Sequence, residues 1–174
     1  MSRTAGEVYA EALRILDEQG LEGLNARNLT SRLSCSAKTL YRLVGNKESM
    51  IRGVVAAAFA EMDLQFKPAA DWRASTKSWA RTLHAELLAR PYLGTLMTLE
   101  DRDATVAYVL RLVDVLTEAG FGRRTAVEVA GNVGHWTIAS TLLDLRAPGA
   151  WDQPERFEAT LEWLVTGIGE TLGR

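Results

Sequence analysis

The chain has 174 residues, 47% hydrophobic and 24% charged, the make-up of one or two small globular domains and not of a disordered segment. Its 20 Lys and Arg stand against 22 Asp and Glu, and the formal charge of -2 excludes an overall basic, histone-like binder. A single cysteine, Cys35, cannot close an internal disulfide, and two histidines leave little material for a soft-ligand metal centre. The opening segment MSRTAGEVYAEALRIL is amphipathic with early acids, unlike a secretion signal. The longest apolar run, residues 53–60, is too short to span a bilayer. A soluble, cytoplasmic protein with no membrane partner and no cofactor is expected.

Apolar residues recur at helical spacing almost throughout, and β-branched runs bounded by turns are missing. Val8, Ala12, Leu13, Ile15 and Leu16 predict a first helix closed by Gly20. Residues 21–24 form a short connection, and Asn25 caps a helix over about 26–33 with Leu29 and Leu33 on its inner face. Ser34, Cys35 and Ser36 break the pattern, and Ser36 caps a second short helix over about 37–43. Gly45 and Asn46 end it, and Lys47 starts a longer helix to about Phe66. Residues 67–71 are the clearest linker, followed by helices over about 72–89, 91–98, 101–119, 124–144 and 153–172. Breaks fall at Gly120, Phe121 and Gly122 and at Ala147, Pro148 and Gly149. The fold expected is all-α, with domains at 1–46 and 47–174 and a connecting helix at about 47–66.

Two short helices joined by a three-residue turn make the helix-turn-helix pattern. If Leu29, Leu33 and Leu40 share a small core with the first helix, Lys38, Thr39, Tyr41 and Arg42 face outward. These side chains suit phosphates, guanine edges and thymine methyls. Residues 26–52 carry Arg27, Arg32, Lys38, Arg42, Lys47 and Arg52 against Glu48, a local balance of +5, while the remainder stands at -7. A basic tip on an acidic body orients toward a polyanion. On charge alone a merely solvated basic face stays open.

The segment LNARNLTSRLSCSAKTLYRLVGNKESM at 24–50, with TLY at 39–41 and NKE at 46–48, resembles the helix-turn-helix of the TetR family of bacterial transcriptional regulators. The likeness is specific over about residues 5–52 and architectural beyond. The stretch 72–97 is similar to the start of the tetracycline-repressor-like C-terminal domain. The resemblance implies a three-helix DNA-binding domain followed by a helical bundle for ligand binding and dimerisation. It puts Arg27 on a phosphate or base edge, Tyr41 on the DNA backbone, and Lys38 and Arg42 on bases. Ser36 and Thr39 belong to the same contact set, and Lys47 with its helix N-terminus meets a phosphate. Where the family carries Ala, Gly and an aliphatic residue, this chain has Thr30, Ser34 and Cys35. Ser34 then stands where a positive φ is wanted. The resemblance further implies that a ligand shifts the connecting helix and so the spacing of two recognition helices, which read half-sites about 34–36 Å apart.

Candidate ligand contacts are Trp79, Leu83, His84, Met97, Tyr108, Asn132, His135 and Trp136. Asn132, His135 and Trp136 share one helix face at i, i+3 and i+4. Packing alone also accounts for the aromatic residues. Val133 and Leu142 on one late helix, with Leu161, Leu164 and Ile168 on the next, are the candidate dimer contacts of an isologous four-helix interface. No nucleophile elbow, phosphate loop, dinucleotide fingerprint or zinc-protease helix occurs, so no enzyme is expected and no catalytic or metal-binding residue is assigned. The reading is a homodimeric repressor of a palindromic operator, released by a small hydrophobic or aromatic ligand. A regulator answering to a protein partner, or to no effector, is the alternative.

Overall fold

The structure, a computed structural model, describes residues 3–66, 68–69, 71–98, 103–147 and 154–172. Among these residues there are nine helices and no strand. They divide into two compact units, Met1–Met62 with Leu96–Ala104, and Asp63–Thr95 with Thr105–Arg174.

The first unit holds α1 (Ala5–Gly23), α2 (Ala26–Arg32), α3 (Ala37–Val44) and α4 (Lys47–Glu61). Each begins on a side chain that satisfies a free backbone donor. Thr4 forms a capping box with Glu7, while Asn25, Ser36 and Asn46 accept from Asn28, Thr39 and Ser49. α2 and α3 have only 7 and 8 residues, too few to persist alone, so they depend on a shared core. Val8, Ala12, Ile15 and Leu16 of α1 supply it with Leu29, Leu40 and Val44, closed by Val54, Val55 and Ala58 of α4. Each fully buried Leu or Ile contributes about 1.5–3 kcal/mol. Gly20 interrupts α1 at φ 66°, ψ -164°, and a last turn to Gly23 follows. There the Asn28 amide donates to Gln19 (2.9 Å) and to the Gly23 carbonyl (3.0 Å), tying α2 to α1.

The second unit holds α5 (Trp72–Leu88), α8 (Arg123–Arg146), α9 (Pro154–Leu172) and the part of α7 (Asp103–Glu118) from Thr105 onward. The one-turn α6 (Leu93–Leu96) lies where the chain leaves this unit. α5 is central and packs on both α8 and α9. Small residues let α8 approach it: Ala126 and Ala130 are buried, and a Cβ on Gly134 would meet Trp79 at 3.2 Å. Trp72 and Phe121 pack edge to face at 5.1 Å. No helix among the described residues is long and apolar enough to cross a membrane.

α1, expected to close at Gly20, continues to Gly23, and two further helix bounds differ from the sequence expectation. α4 stops at Glu61 instead of running to Phe66, because residues 63–66 find their backbone partners elsewhere. The Asp63 N–H donates to Glu86 (3.3 Å), and Arg111 takes the Leu64 and Phe66 carbonyls. The helix expected at 91–98 contracts to α6. Lys67 and Ala70 of the linker lie outside the described residues, as do positions 101–102 and 153 of two expected helices and the Pro148–Gly149 break.

Candidate nucleic-acid interface

The turn between α2 and α3 is a Schellman closure. Cys35 N–H reaches back to the Thr30 carbonyl (3.0 Å) and Ser34 N–H to that of Ser31 (3.1 Å), with Ser34 at φ 47°. α7 ends the same way, with Gly120 at φ 97° in the corresponding place. The side chain at Ser34 therefore sits in the left-handed region, as the family comparison of its residues implied. Ser36 then opens α3, its hydroxyl oxygen accepting from Thr39 N–H at 3.1 Å and lying 3.0 Å from the Thr39 hydroxyl.

Leu40 and Val44 point α3 into the core, and that fixes its outer face. Lys38 and Arg42 are exposed one turn apart, Tyr41 between them is 40% exposed, and Thr39 is half-buried. Lys47 is exposed at the first turn of α4, beside the Asn46 cap (2.8 Å to Ser49 N–H). Arg27 is exposed on an open polar groove of about 510 Å³ shared with Gln19, Asn25, Asn28 and Ser31. Among the described residues none of Arg27, Lys38, Arg42 and Lys47 is held by a carboxylate. Arg32 is different: it turns back to α1, bonding Glu11 (3.2 Å) and Glu18, and it holds the Glu18 carboxyl below its usual range. One of the six cations counted in the basic segment is therefore neutralised at home.

No protein-family model matches the chain. Among curated proteins, the class G tetracycline repressor of Vibrio anguillarum is 30% identical over 144 residues, covering 79% of this chain and 67% of the repressor. The chain belongs to the TetR family. Against other curated TetR relatives, several tetracycline repressors among them, it spans 59% to 66% of their length. Its fold is that of solved TetR-family proteins. Streptomyces coelicolor ActR in complex with (S)-DNPA aligns with a TM-score of 0.76 over 98% of this chain and 99% of ActR, at 19% identity. BioQ with its double-stranded DNA operator aligns at 0.77 over 95% and 98%, with 20% identity. TetR-family relatives are transcriptional regulators and not enzymes.

In this TetR-family chain the candidate ligand residues do not gather at one point. Trp79, Leu83 and Tyr108 are buried. Trp79 and Tyr108 stack at 4.6 Å and exchange two hydrogen bonds: the indole N–H donates to the Tyr108 carbonyl and the phenol to the Trp79 carbonyl, each at 2.9 Å. Burial pushes the Tyr108 phenol up to about 12. His84 and Trp136 form a second group, each stacked on Phe157, with ring centroids at 3.8 and 5.0 Å. His84 Nδ1 lies 2.8 Å from the Thr141 hydroxyl, which donates to the Thr137 carbonyl (2.7 Å). The Thr141 oxygen therefore accepts, and Nδ1 carries the imidazole proton. One Asp144 carboxylate oxygen on α8 is buried without a hydrogen-bond partner. Met97 is buried but falls in the first unit.

Four residues need correcting in their facing. The buried stripe of α8 runs through Ala126, Ala130, Val133, Gly134, Thr137 and Thr141, so Asn132 and His135 fall on its exposed side and not beside a closed cavity. Val133, at 1% exposure, fills the chain's own core, and so does Leu161 on α9 at 0%. Neither has surface left for a partner. Leu142, Leu164 and Ile168 are half-buried. The residue missed was Trp163, 71% exposed on α9, with Val127 and Leu143 also exposed on α8. The signal available was its offset of two positions from the Leu161 stripe, which turns it to the opposite face.

Proposed function

We propose that this chain is a sequence-specific DNA-binding regulator that reads a palindromic operator as a homodimer and acts as a repressor. The observation that carries the reading is the outer face of α3, where Lys38, Tyr41 and Arg42 stand exposed and the cations have no carboxylate partner among the described residues. Capped by Ser36 and anchored by Leu40 and Val44, that helix is a rigid platform able to enter a major groove. Tyr41 and Lys47 contact the backbone and Arg27 a phosphate or a base edge; Lys38 and Arg42 read base edges, with Ser36 and Thr39 beside them. The first unit carries the DNA and the second the regulation and self-association. The BioQ complex with its operator supports the DNA partner by kinship of fold. Association uses the outward faces of α8 and α9, with Trp163 in place of the buried Val133 and Leu161. The protein works in the cytoplasm, where its operator is.

Response to a small hydrophobic or aromatic ligand is the preferred form of control, supported by the ActR complex. The stack of Trp79 on Tyr108 favours a second reading, control by a protein partner or by none, because a ligand must part α5 from α7 to reach those rings. Selection of duplexes from a random pool, then a salt titration of the winner, tests the assignment. A palindrome with half-sites about one helical turn apart is expected. Tyr41→Ala and Lys47→Ala should weaken all duplexes and flatten the salt slope, whereas Lys38→Ala and Arg42→Ala should relax sequence preference. Purely salt-driven binding with no enriched sequence overturns the reading.

A further inference from the structure

The chain leaving α4 is gripped by one side chain. Residues 63–66 are not helical, and the Arg111 guanidinium of α7 donates to the Leu64 carbonyl (2.7 Å) and the Phe66 carbonyl (3.2 Å). It lies over the Phe66 ring, 5.1 Å from the centroid, and 5.9 Å from that of Tyr108. Phe66 is buried and meets the Tyr108 ring edge-on at 6.0 Å. Tyr108 is the residue cross-bonded to Trp79 of α5. On the α5 side Glu86 accepts from Asp63 N–H (3.3 Å) while Arg90 holds the same carboxylate at 2.6 Å. Directional contacts therefore run from the α5–α7 core to the residues that follow α4 directly in sequence. Beside the grip lies an open pocket of about 200 Å³ lined by Phe66, Pro68, Arg111, Asp114, Val115 and Glu118.

We propose that Arg111 is a positioning residue for operator binding: by holding the Leu64 and Phe66 carbonyls it fixes the direction in which the chain leaves α4, and so the separation of two recognition helices in a dimer. The inference rests on the dimeric DNA-binding reading above and adds the residue that sets its geometry. The guanidinium presents its donors in a rigid fork that fixes the two carbonyls in one geometry; a lysine keeps the charge and most of the stem, but its three rotatable donors on a flexible chain set no such direction. Movement of α7 against α5 changes that hold, which gives control of the second unit a route to α4.

The test compares full-length wild type, Arg111→Lys and Arg111→Ala on three probes: the selected two-half-site duplex, a single half-site, and a library in which half-site spacing varies. Both variants should lose about tenfold or more on the two-half-site duplex, keep wild-type affinity for the single half-site, and accept a broader range of spacings. Arg111→Lys carries the test if Arg111→Ala does not fold. Equal losses on full and half sites, or unchanged spacing preference, would make Arg111 merely structural and overturn the proposal. A wild type that enriches no duplex would instead remove the reading beneath it.

Discussion

Gly53 lies inside α4, where alanine is normally the better helix former by about 0.8–1 kcal/mol. The structure predicts the reverse here. A Cβ at Gly53 would stand 2.2 Å from Tyr9 Cζ, 2.4 Å from Cε1 and 2.5 Å from the phenol oxygen, far inside contact distance. Tyr9 is half-buried on α1, which packs on α4, and its ring must shift to make room. Overpacking of this kind costs about 1–3 kcal/mol against about 1 kcal/mol of helix propensity, so Gly53→Ala should destabilise the first unit by up to about 2 kcal/mol net. In a Tyr9→Ala background the obstacle is gone, and the same change should stabilise by about 1 kcal/mol. The coupling of the cycle is then about 1–3 kcal/mol. Because all five tryptophans lie at or beyond position 72, fluorescence is blind to this unit. Hydrogen exchange on peptides from α1 and α4, with far-UV dichroism in urea, is the assay. Equal stabilisation by Gly53→Ala in both backgrounds would refute the steric argument.

Ser34→Gly should stabilise by about 0.5–1 kcal/mol, since relief of the left-handed penalty outweighs the added freedom of the unfolded chain; a lower denaturation midpoint would count against the assigned turn. Burial pushes His84 below the usual imidazole range, with Asp144 and Glu158 opposing it more weakly, so the native state binds fewer protons than the unfolded one. Stability should be intact above about pH 6.5 and fall as pH drops toward the depressed folded value, with a slope of at most about 1.4 kcal/mol per pH unit from this group. His84→Asn, which can still donate to Thr141, should flatten that slope in urea titrations followed by tryptophan fluorescence, and an unchanged slope would assign it elsewhere. Trp163→Ser should weaken self-association in sedimentation equilibrium while leaving stability within about 0.5 kcal/mol, whereas Leu161→Ala should cost about 2–4 kcal/mol. Intact dimers from Trp163→Ser would move the interface off this face of α9.

The helix-turn-helix was legible because its information is local. Asn25 and Ser36 cap their helices at the expected places, and Leu29 and Leu40 are buried as their spacing required. The end of α4 was not legible, since it is set by Glu86 and Arg111, which come more than twenty residues later in the chain. The facing of α8 was hidden for another reason. Val129, Trp136, Ile138 and Leu142 spread apolar character around the helix, and its inner face is chosen by how closely α5 can approach. Small and hydroxyl-bearing residues won that face: Ala126, Ala130, Gly134, Thr137 and Thr141 are buried there, Gly134 against Trp79, and Val133 goes in with them. The threonines hide their polarity by donating to carbonyls of their own helix, so a reading weighted by hydrophobicity alone passes them over.

The first unit is not contiguous in sequence: Leu96–Ala104 belongs with Met1–Met62, and Leu96 and Met97 are buried there. On the ribosome α1 to α4 emerge early, but the unit cannot be complete until Ala104 has followed, by which time α5 has also been made. The same topology governs dissection of the molecule. A fragment cut after Met62 would carry the whole recognition face yet lack part of its own hydrophobic interior, so a faithful isolated reader of DNA has to be built by grafting the second segment back.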